Sequence, residues 1–414
     1  MNLFLIISIL VSLSALFAYL NERFLKLPDT IGIMVISLIF SLVLILTGNL
    51  FPELYHATED FVSSIDFGTV LVDIMLCFLL FAGALHTDIS LLKYNHRAIS
   101  VFAVIGVLLS ALITGVLMFY MFRWFGQDIN IWYCIVFGAL VAPTDPIAVL
   151  GILTKAGAPK HAEIKIVGES LFNDGIGVVL FLSLIKIISI GTENITGSQI
   201  ILLLLQEVVG GIALGIVLGW VGFYMMKKID NYQAEILITL AMVMGGYSLA
   251  EVLHVSGPLA MVMAGLFTGS RAKAEAMSHT TELYLDKFWE LADVLLNAIL
   301  FVLIGLELLV VEFSKPFLIA GLIAIPISIA ARYISLIIPS TFLKKWVGTD
   351  HKTIQLMTWG GLRGGLSIAM ALSLQDPLPR NLFVAMTYII VLFSIIVQGL
   401  TLGKLVKKLF GTAA

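Results

Sequence analysis

The chain has 414 residues, of which 60% are hydrophobic and only 12% charged. Soluble proteins carry about 25% charged residues, so the composition excludes a soluble globular domain and reads as a polytopic membrane protein. A net charge of −3 offers no basic surface for nucleic acid, and the two cysteines, Cys77 and Cys134, lie in apolar runs without metal-ligand spacing.

Apolar runs bounded by polar punctuation fall at about 2–20, 30–50, 66–86, 98–122, 131–153, 163–188, 200–226, 234–252, 256–270, 290–311, 316–340, 353–374 and 380–402. A span of roughly 20 residues crosses a bilayer's hydrocarbon core, so these are thirteen candidate transmembrane helices. The first run lacks a basic n-region and a small-residue cleavage site and reads as a membrane helix, not a leader. The stretch 270–290 reads as an amphipathic cytoplasmic connector helix.

An odd count puts the two termini on opposite faces. With the C-terminal "GKLVKKLF" cytoplasmic, 18 of the 24 Lys and Arg residues fall in cytoplasmic segments and 4 on the other side. That bias sets the N-terminus outside, and the expected location is the cell (inner) membrane.

The fifth run is interrupted by "APTDP", where Pro143 and Pro146 bracket Asp145. The twelfth is interrupted by "GGLRGG", with four glycines around Arg363. Breaks at corresponding positions of two halves point to a transporter built from inverted repeats. Residues 1–403 then form a single transmembrane domain, with repeat 1 at about 1–190, a linker helix at about 200–226 and repeat 2 at about 234–403. Residues 404–414 are expected to be a short basic cytoplasmic tail.

The sixth run, "VGESLFNDGIGVVLF", carries Glu169, Ser170, Asn173 and Asp174. Residues four apart share a helix face, so Glu169 stacks with Asn173 and Ser170 with Asp174. Asp174 lies about 16 Å into its span at 1.5 Å per residue, near the midplane. A charge there costs about 2.5–3.5 kcal/mol on insertion scales and persists only if paired, protonated or facing water. Near Asp145, Pro146 supplies no N–H and the prolines disfavour regular helix through Thr144. Freed carbonyls at that depth must be buried in protein or line a wet cavity.

Carbonyl, hydroxyl and carboxylate oxygens together suit a small, hard cation stripped of water. A single intramembrane Ser or Asn is usually glue between helices, and a single buried acid is often a structural ion pair. Two acids flanked by oxygen donors, on one broken and one intact helix, point instead to an ion site. Glu169 reads as structural, paired with Arg363 or Arg332. Asp73, Glu207, Asp293 and Glu307 read as locally paired or cavity-facing, and "GGIALGIVLG" in the seventh run as a close-packing face. His86 and His254 stand near span ends and are assigned no sensor role.

At these residues the chain resembles the monovalent cation:proton antiporter family, the NhaP-like and sodium/proton exchanger relatives. "GALVAPTDPIAVL" is similar to the family's Asp-Pro signature on the fifth helix and "GESLFNDGIGVVLF" to its Glu-Ser…Asn-Asp signature on the sixth. "SGPLAMVMAGLFTG", "LNAILFVLIGLEL" and "GLRGGLSIAMALSL" also look like family segments. The resemblance implies an all-α fold of about 13 transmembrane helices, with helices five and twelve crossing near the site, and a homodimer. It places the ion ligands on Asp145, Ser170, Asp174 and the Thr144 carbonyl, with Asn173 orienting the site. Asn-Asp, where electrogenic relatives carry two aspartates, implies one-for-one exchange. In "LLFAGALH" the chain departs from relatives that place an acid where Ala82 stands.

The expected activity is exchange of Na+, or else Li+ or K+, for H+ across the lipid bilayer, without a cofactor. Burial favours the protonated form of a carboxylate and a neighbouring cation the ionised form. A proton and a cation would therefore compete for Asp174, assisted by Asp145, and the site would open to each face alternately. The alternative is a cation channel lined by the same acids. An enzyme lacks support: the chain has no HExxH and no His at helical spacing from "GES" or "TDP".

Overall fold

The computed structural model describes residues 3–48, 50–65, 68, 70, 74–87, 89–191, 196–311 and 313–411. Its regular structure is helical throughout the described residues. The first six apolar runs fall on α1 (Leu3–Leu20), α2 (Asp29–Thr47), α4 (Leu76–Leu85), α5 and α6 (Ile89–Val101 and Val107–Trp124), α7 and α8 (Ile131–Val141 and Pro146–Ala156), and α9 (Lys160–Ile190). A further helix, α3 (Pro52–Ser63), lies between the second and third runs. The seventh to tenth runs fall on α10 (Gly197–Met226), α11 (Tyr232–Val252), α12 (Gly257–Phe267), which leads to a short α13 (Lys273–Glu275), and α14 (His279–Glu307). The last three fall on α15 (Lys315–Phe342), followed by a single turn α16 (Lys344–Val347), then α17 and α18 (His351–Trp359 and Gly365–Leu372), and α19 and α20 (Arg380–Phe393 and Leu400–Phe410).

Among the described residues, 8 helical segments are long and apolar enough to cross a membrane, and shorter apolar helices include Ile31–Thr47, Leu76–Leu85 and Ile131–Val141. Of these, Leu76–Leu85 is largely buried inside the bundle and Ile131–Val141 ends at the fifth-span break. Residue types sort by surroundings. The helix α10 leaves Ile201, Leu202, Val217 and Trp220 exposed, as a lipid-facing helix does. Its glycines do the packing: a Cβ on Gly215 would lie 2.3 Å from the Ala260 carbonyl oxygen, and one on Gly219 2.6 Å from Phe267 Cβ. The close-packing face expected from "GGIALGIVLG" thus lies against α12.

The helix α9 is buried along most of its length and runs through the centre of the bundle. Gly177 brings the fifth-span break against it, because a Cβ there would lie 2.3 Å from Pro143 Cγ. Side-chain to main-chain bonds lock α2 to α14: Ser37 Oγ donates to the Val302 carbonyl at 2.9 Å and Ser41 Oγ to that of Gly305 at 2.8 Å.

One segment differs from the sequence reading. Residues 270–290 do not form a separate connector: the chain turns at Ala276–Ser278, Ser278 caps the next helix, and α14 runs unbroken from His279 into the tenth span. Its first turns resemble a soluble helix because the charged Lys287 and Glu290 are exposed while Leu285 and Trp289 are buried. Residues 404–410, in the basic stretch at the end of the chain, lie on α20, where Leu402 and Val406 are buried one turn apart and the lysines lie on the remaining face.

Candidate ion site at the crossed helix breaks

Two broken spans meet beside α9. The helix α7 ends at Val141, and Ala142 to Asp145 run non-helically until α8 begins at Pro146. In the twelfth span, residues 360–364 separate α17 from α18. The breaks touch through their backbones: Asp145 N–H donates to the Leu362 carbonyl at 2.7 Å. Gly364 makes room for this approach, because a Cβ on it would lie 2.6 Å from Asp145 Oδ2. Its φ of −116° is open to any residue, so closeness alone calls for glycine.

The polar face of α9 ties the first break in place. Asn173 Oδ1 accepts the Thr144 N–H at 3.2 Å, while its amide nitrogen donates to Thr144 Oγ1 at 2.7 Å and to Glu169 Oε1 at 2.8 Å. The hydroxyls of Thr144 and Ser170 share a hydrogen bond of 2.7 Å. Asn173 therefore spends both amide hydrogens and its oxygen inside the protein, and holds Thr144 and Glu169 on either side of itself.

Glu169 pairs with Arg332 of α15. Nη1 meets Oε1 at 2.8 Å and Nη2 meets Oε2 at 2.6 Å, a two-point fork between side chains that are 2% and 1% exposed. Arg363, the other candidate from the sequence, is used differently: its Nη1 donates to the Gly361 carbonyl at 2.7 Å and its backbone N–H to Ser394 Oγ at 2.8 Å. That puts a permanent positive charge at the carbonyl end of α17, where a helix dipole favours a cation.

Asp145 and Asp174 open on one cavity of about 80 Å³, lined as well by Pro143 and Thr144, by α4, and by Asn297, Gly364 and Ser367 from the second half. A water needs about 10–15 Å³ by this kind of measure, so the space admits a few waters or an ion with part of its hydration shell. The helix α4 contributes Leu76, Leu79, Leu80 and Gly83, all without a polar side chain, and Ala82 is buried. Of the other acids noted in the sequence, Asp293 accepts a hydrogen bond from Asn297 at 3.1 Å, and Asp73 lies outside the described residues. His86 stands near Asp286 at 3.8 Å, beside the Lys273–Asp286 ion pair.

Of the expected site residues, Thr144, Asp145 and Asp174 line the cavity, Ser170 and Asn173 are hydrogen-bonded to Thr144 without lining it, and Arg363 lies outside the cavity. Sequence reasoning did not find Asn297 or Ser367. Their signal is weak, because single polar residues in apolar helices are usually packing contacts.

Three comparisons relate the chain to known proteins. The family model described as "sodium/hydrogen exchanger, transmembrane" matches residues 11–408. The chain is 45% identical over 410 residues to the Na+/H+ antiporter NhaP of Pseudomonas aeruginosa, covering 98% of this chain and 96% of that protein. It is 34% identical to the Na+/H+ antiporter NhaG of Bacillus atrophaeus, covering 92% of this chain and 70% of that one. The fold matches the solved structure of the sodium proton antiporter MjNhaP1 from Methanocaldococcus jannaschii with a TM-score of 0.78 at 21% identity, over 99% of this chain and 100% of that one.

Proposed function

The chain belongs to the sodium/hydrogen exchanger family, and from that premise we propose that it exchanges Na+ for H+ at the cavity shared by Asp145 and Asp174. The observation that carries the reading is this convergence: one carboxylate from a broken span and one from an intact helix open on the same small space inside the bundle. An alkali cation there draws on the Asp145 and Asp174 carboxylates, Ser170 Oγ and the Thr144 carbonyl. A proton binds the same carboxylates. Occupancy by one ion disfavours the other, and this competition couples the two fluxes without a separate gate for each.

Asn173 and the Glu169–Arg332 pair serve as the frame that sets Thr144 and the first break. Alternating access follows from movement of one set of helices against the other, with residues about 1–190 and 234–403 as the inverted halves and 200–226 as the link. The chain works as a homodimer in the cell (inner) membrane, its C-terminus cytoplasmic, which agrees with the Lys and Arg bias. The exchange is electroneutral, one Na+ for one H+. The channel reading gains no support, since the relatives carry the names of antiporters.

The test is sodium-dependent proton release in everted vesicles carrying the parent chain, Asp174→Asn or Asp145→Asn. The parent shows saturable release and both variants lose it. Undiminished exchange by Asp174→Asn would overturn the assignment, and sodium flux with no proton requirement would restore the channel.

A further inference from the structure

The ligands named above all come from the first half of the chain, yet the cavity has a second wall. Among its described lining residues after 190, Asn297 of α14 and Ser367 of α18 alone have polar side chains; the rest are Leu300, Gly364, Gly365, Leu366 and Ala369.

Ser367 is 1% exposed, and its hydroxyl has no hydrogen-bond partner among the described residues. A serine in an apolar helix normally bonds the carbonyl three or four residues back, as Ser340 does to Leu336 and Ser373 to Met370. For Ser367 those positions are Gly364 and Arg363, which lie in the break, so the usual acceptors are not in helical register. A buried hydroxyl without a partner is unfavourable. Other orphan hydroxyls, Ser14, Thr114, Ser183 and Thr387, do not line the cavity; Ser367 does.

Asn297 is 5% exposed, and its amide nitrogen donates to both the carbonyl oxygen and the carboxylate of Asp293, at 2.9 and 3.1 Å. With both amide hydrogens directed to Asp293, the carbonyl end of Asn297 is the end left for the cavity. Asp293 thereby orients Asn297, which orders an amide that could otherwise flip.

We infer that Ser367 Oγ and Asn297 Oδ1 are specificity-determining ligands, two neutral oxygens that complete the shell of the transported cation opposite Asp145 and Asp174. This rests on the proposed exchange at that cavity. Neutral oxygens replace the waters that an alkali cation sheds, and their number and placement decide which cation is best compensated. A proton on either aspartate needs no such shell, so these two residues act on the cation side of the competition. They also make the cation a bridge between the two halves.

The experiment uses the full chain in proteoliposomes with a trapped pH indicator, titrated separately with NaCl, LiCl and KCl. Losing one neutral contact of about 0.5–1.5 kcal/mol raises half-saturating Na+ by roughly two- to tenfold in Ser367→Ala and in Asn297→Ala. It also shifts the Na+/Li+/K+ ratio, which a packing defect would leave alone, and Ser367→Thr, keeping the hydroxyl, returns both values toward the parent. Should Ser367→Ala not yield folded protein, Ser367→Cys, which offers a soft sulfur in place of the oxygen, reads the same shift. An active parent with half-saturation and ion ratio unchanged in the alanine variants would overturn this inference alone. A parent without sodium-driven proton release would overturn the proposed function and this inference together.

Discussion

Arg332 grips Glu169 through two parallel bonds, 2.8 and 2.6 Å long, across 163 residues of sequence and with both side chains almost wholly buried. Because the same Glu169 accepts from Asn173, and Asn173 holds Thr144, the pair fixes α15, α9 and the fifth-span break in one network.

Breaking this pair from one side is expected to be costly. Glu169→Ala leaves a guanidinium buried without its carboxylate, and Arg332→Ala the reverse; either loss of a buried partner runs to about 3–5 kcal/mol. Each single variant should melt well below the parent in detergent, read by thermal challenge followed by size-exclusion chromatography. The double variant Glu169→Leu/Arg332→Met, which removes both charges, should recover much of the loss. Single variants as heat-resistant as the parent would show that the pair is not what holds α15 to α9.

Asn173→Asp tests the frame at one atom. The substitution removes two donated hydrogen bonds and sets a carboxylate oxygen where the amide nitrogen now lies 2.8 Å from Glu169 Oε1. Two charged carboxylates at that distance repel strongly in a buried setting. Sodium-dependent proton release should fall at least about tenfold, the equivalent of roughly 1.4 kcal/mol, with a lowered melting point. Asn173→Ser, smaller and uncharged, should lose less heat resistance than Asn173→Asp. The reverse order would mean that charge is not what this position excludes.

Gly364→Ala isolates the crossing of the two breaks. The added methyl would stand 2.6 Å from Asp145 Oδ2 and 2.8 Å from its Cβ, closer than van der Waals contact allows. The φ of −116° carries no strain for alanine, so any effect is steric. Overpacking of this kind costs about 1–3 kcal/mol, here by displacing Asp145 from the cavity. The expected outcome is protein that folds yet has a half-saturating Na+ raised at least about tenfold, measured in the same vesicles. Parent-like sodium dependence in Gly364→Ala would mean that Asp145 does not need its present position.

How much of this was legible before the fold? The apolar runs located the membrane helices because bilayer crossing demands length and apolarity, properties a single sequence displays directly. Pro143, Pro146 and the glycines around Arg363 located both breaks for the same reason: backbone chemistry is local. The choice of Arg332 over Arg363 for Glu169 was not legible, since it depends on where α15 packs against α9. Nor was the part of Asn297 and Ser367, because which wall of a cavity a helix presents follows from packing. The stretch 270–290 misled for a physical reason. Its charged face mimics a surface connector, although Leu285 and Trp289 are already inside the bundle.

The last prediction concerns charge movement. Asn173 has no ionisable group and spends its polar atoms within the protein, and Glu169 is neutralised by Arg332. Among the described residues, that leaves Asp145 and Asp174 as the charged groups lining the cavity. If one Na+ replaces one H+ there, the charge on the site is the same in both loaded states. A membrane potential is worth about 2.3 kcal/mol per 100 mV for each charge moved, and nothing when none moves. In proteoliposomes clamped with potassium and valinomycin, imposing −100 mV should therefore leave the equilibrium sodium gradient unchanged at fixed pH difference. Two protons per sodium would instead shift that gradient by about fiftyfold, the equilibrium equivalent of 2.3 kcal/mol. Such a shift, or a sodium-driven current, would mean that a second proton is carried by a group outside the neutral Asn173 and the paired Glu169.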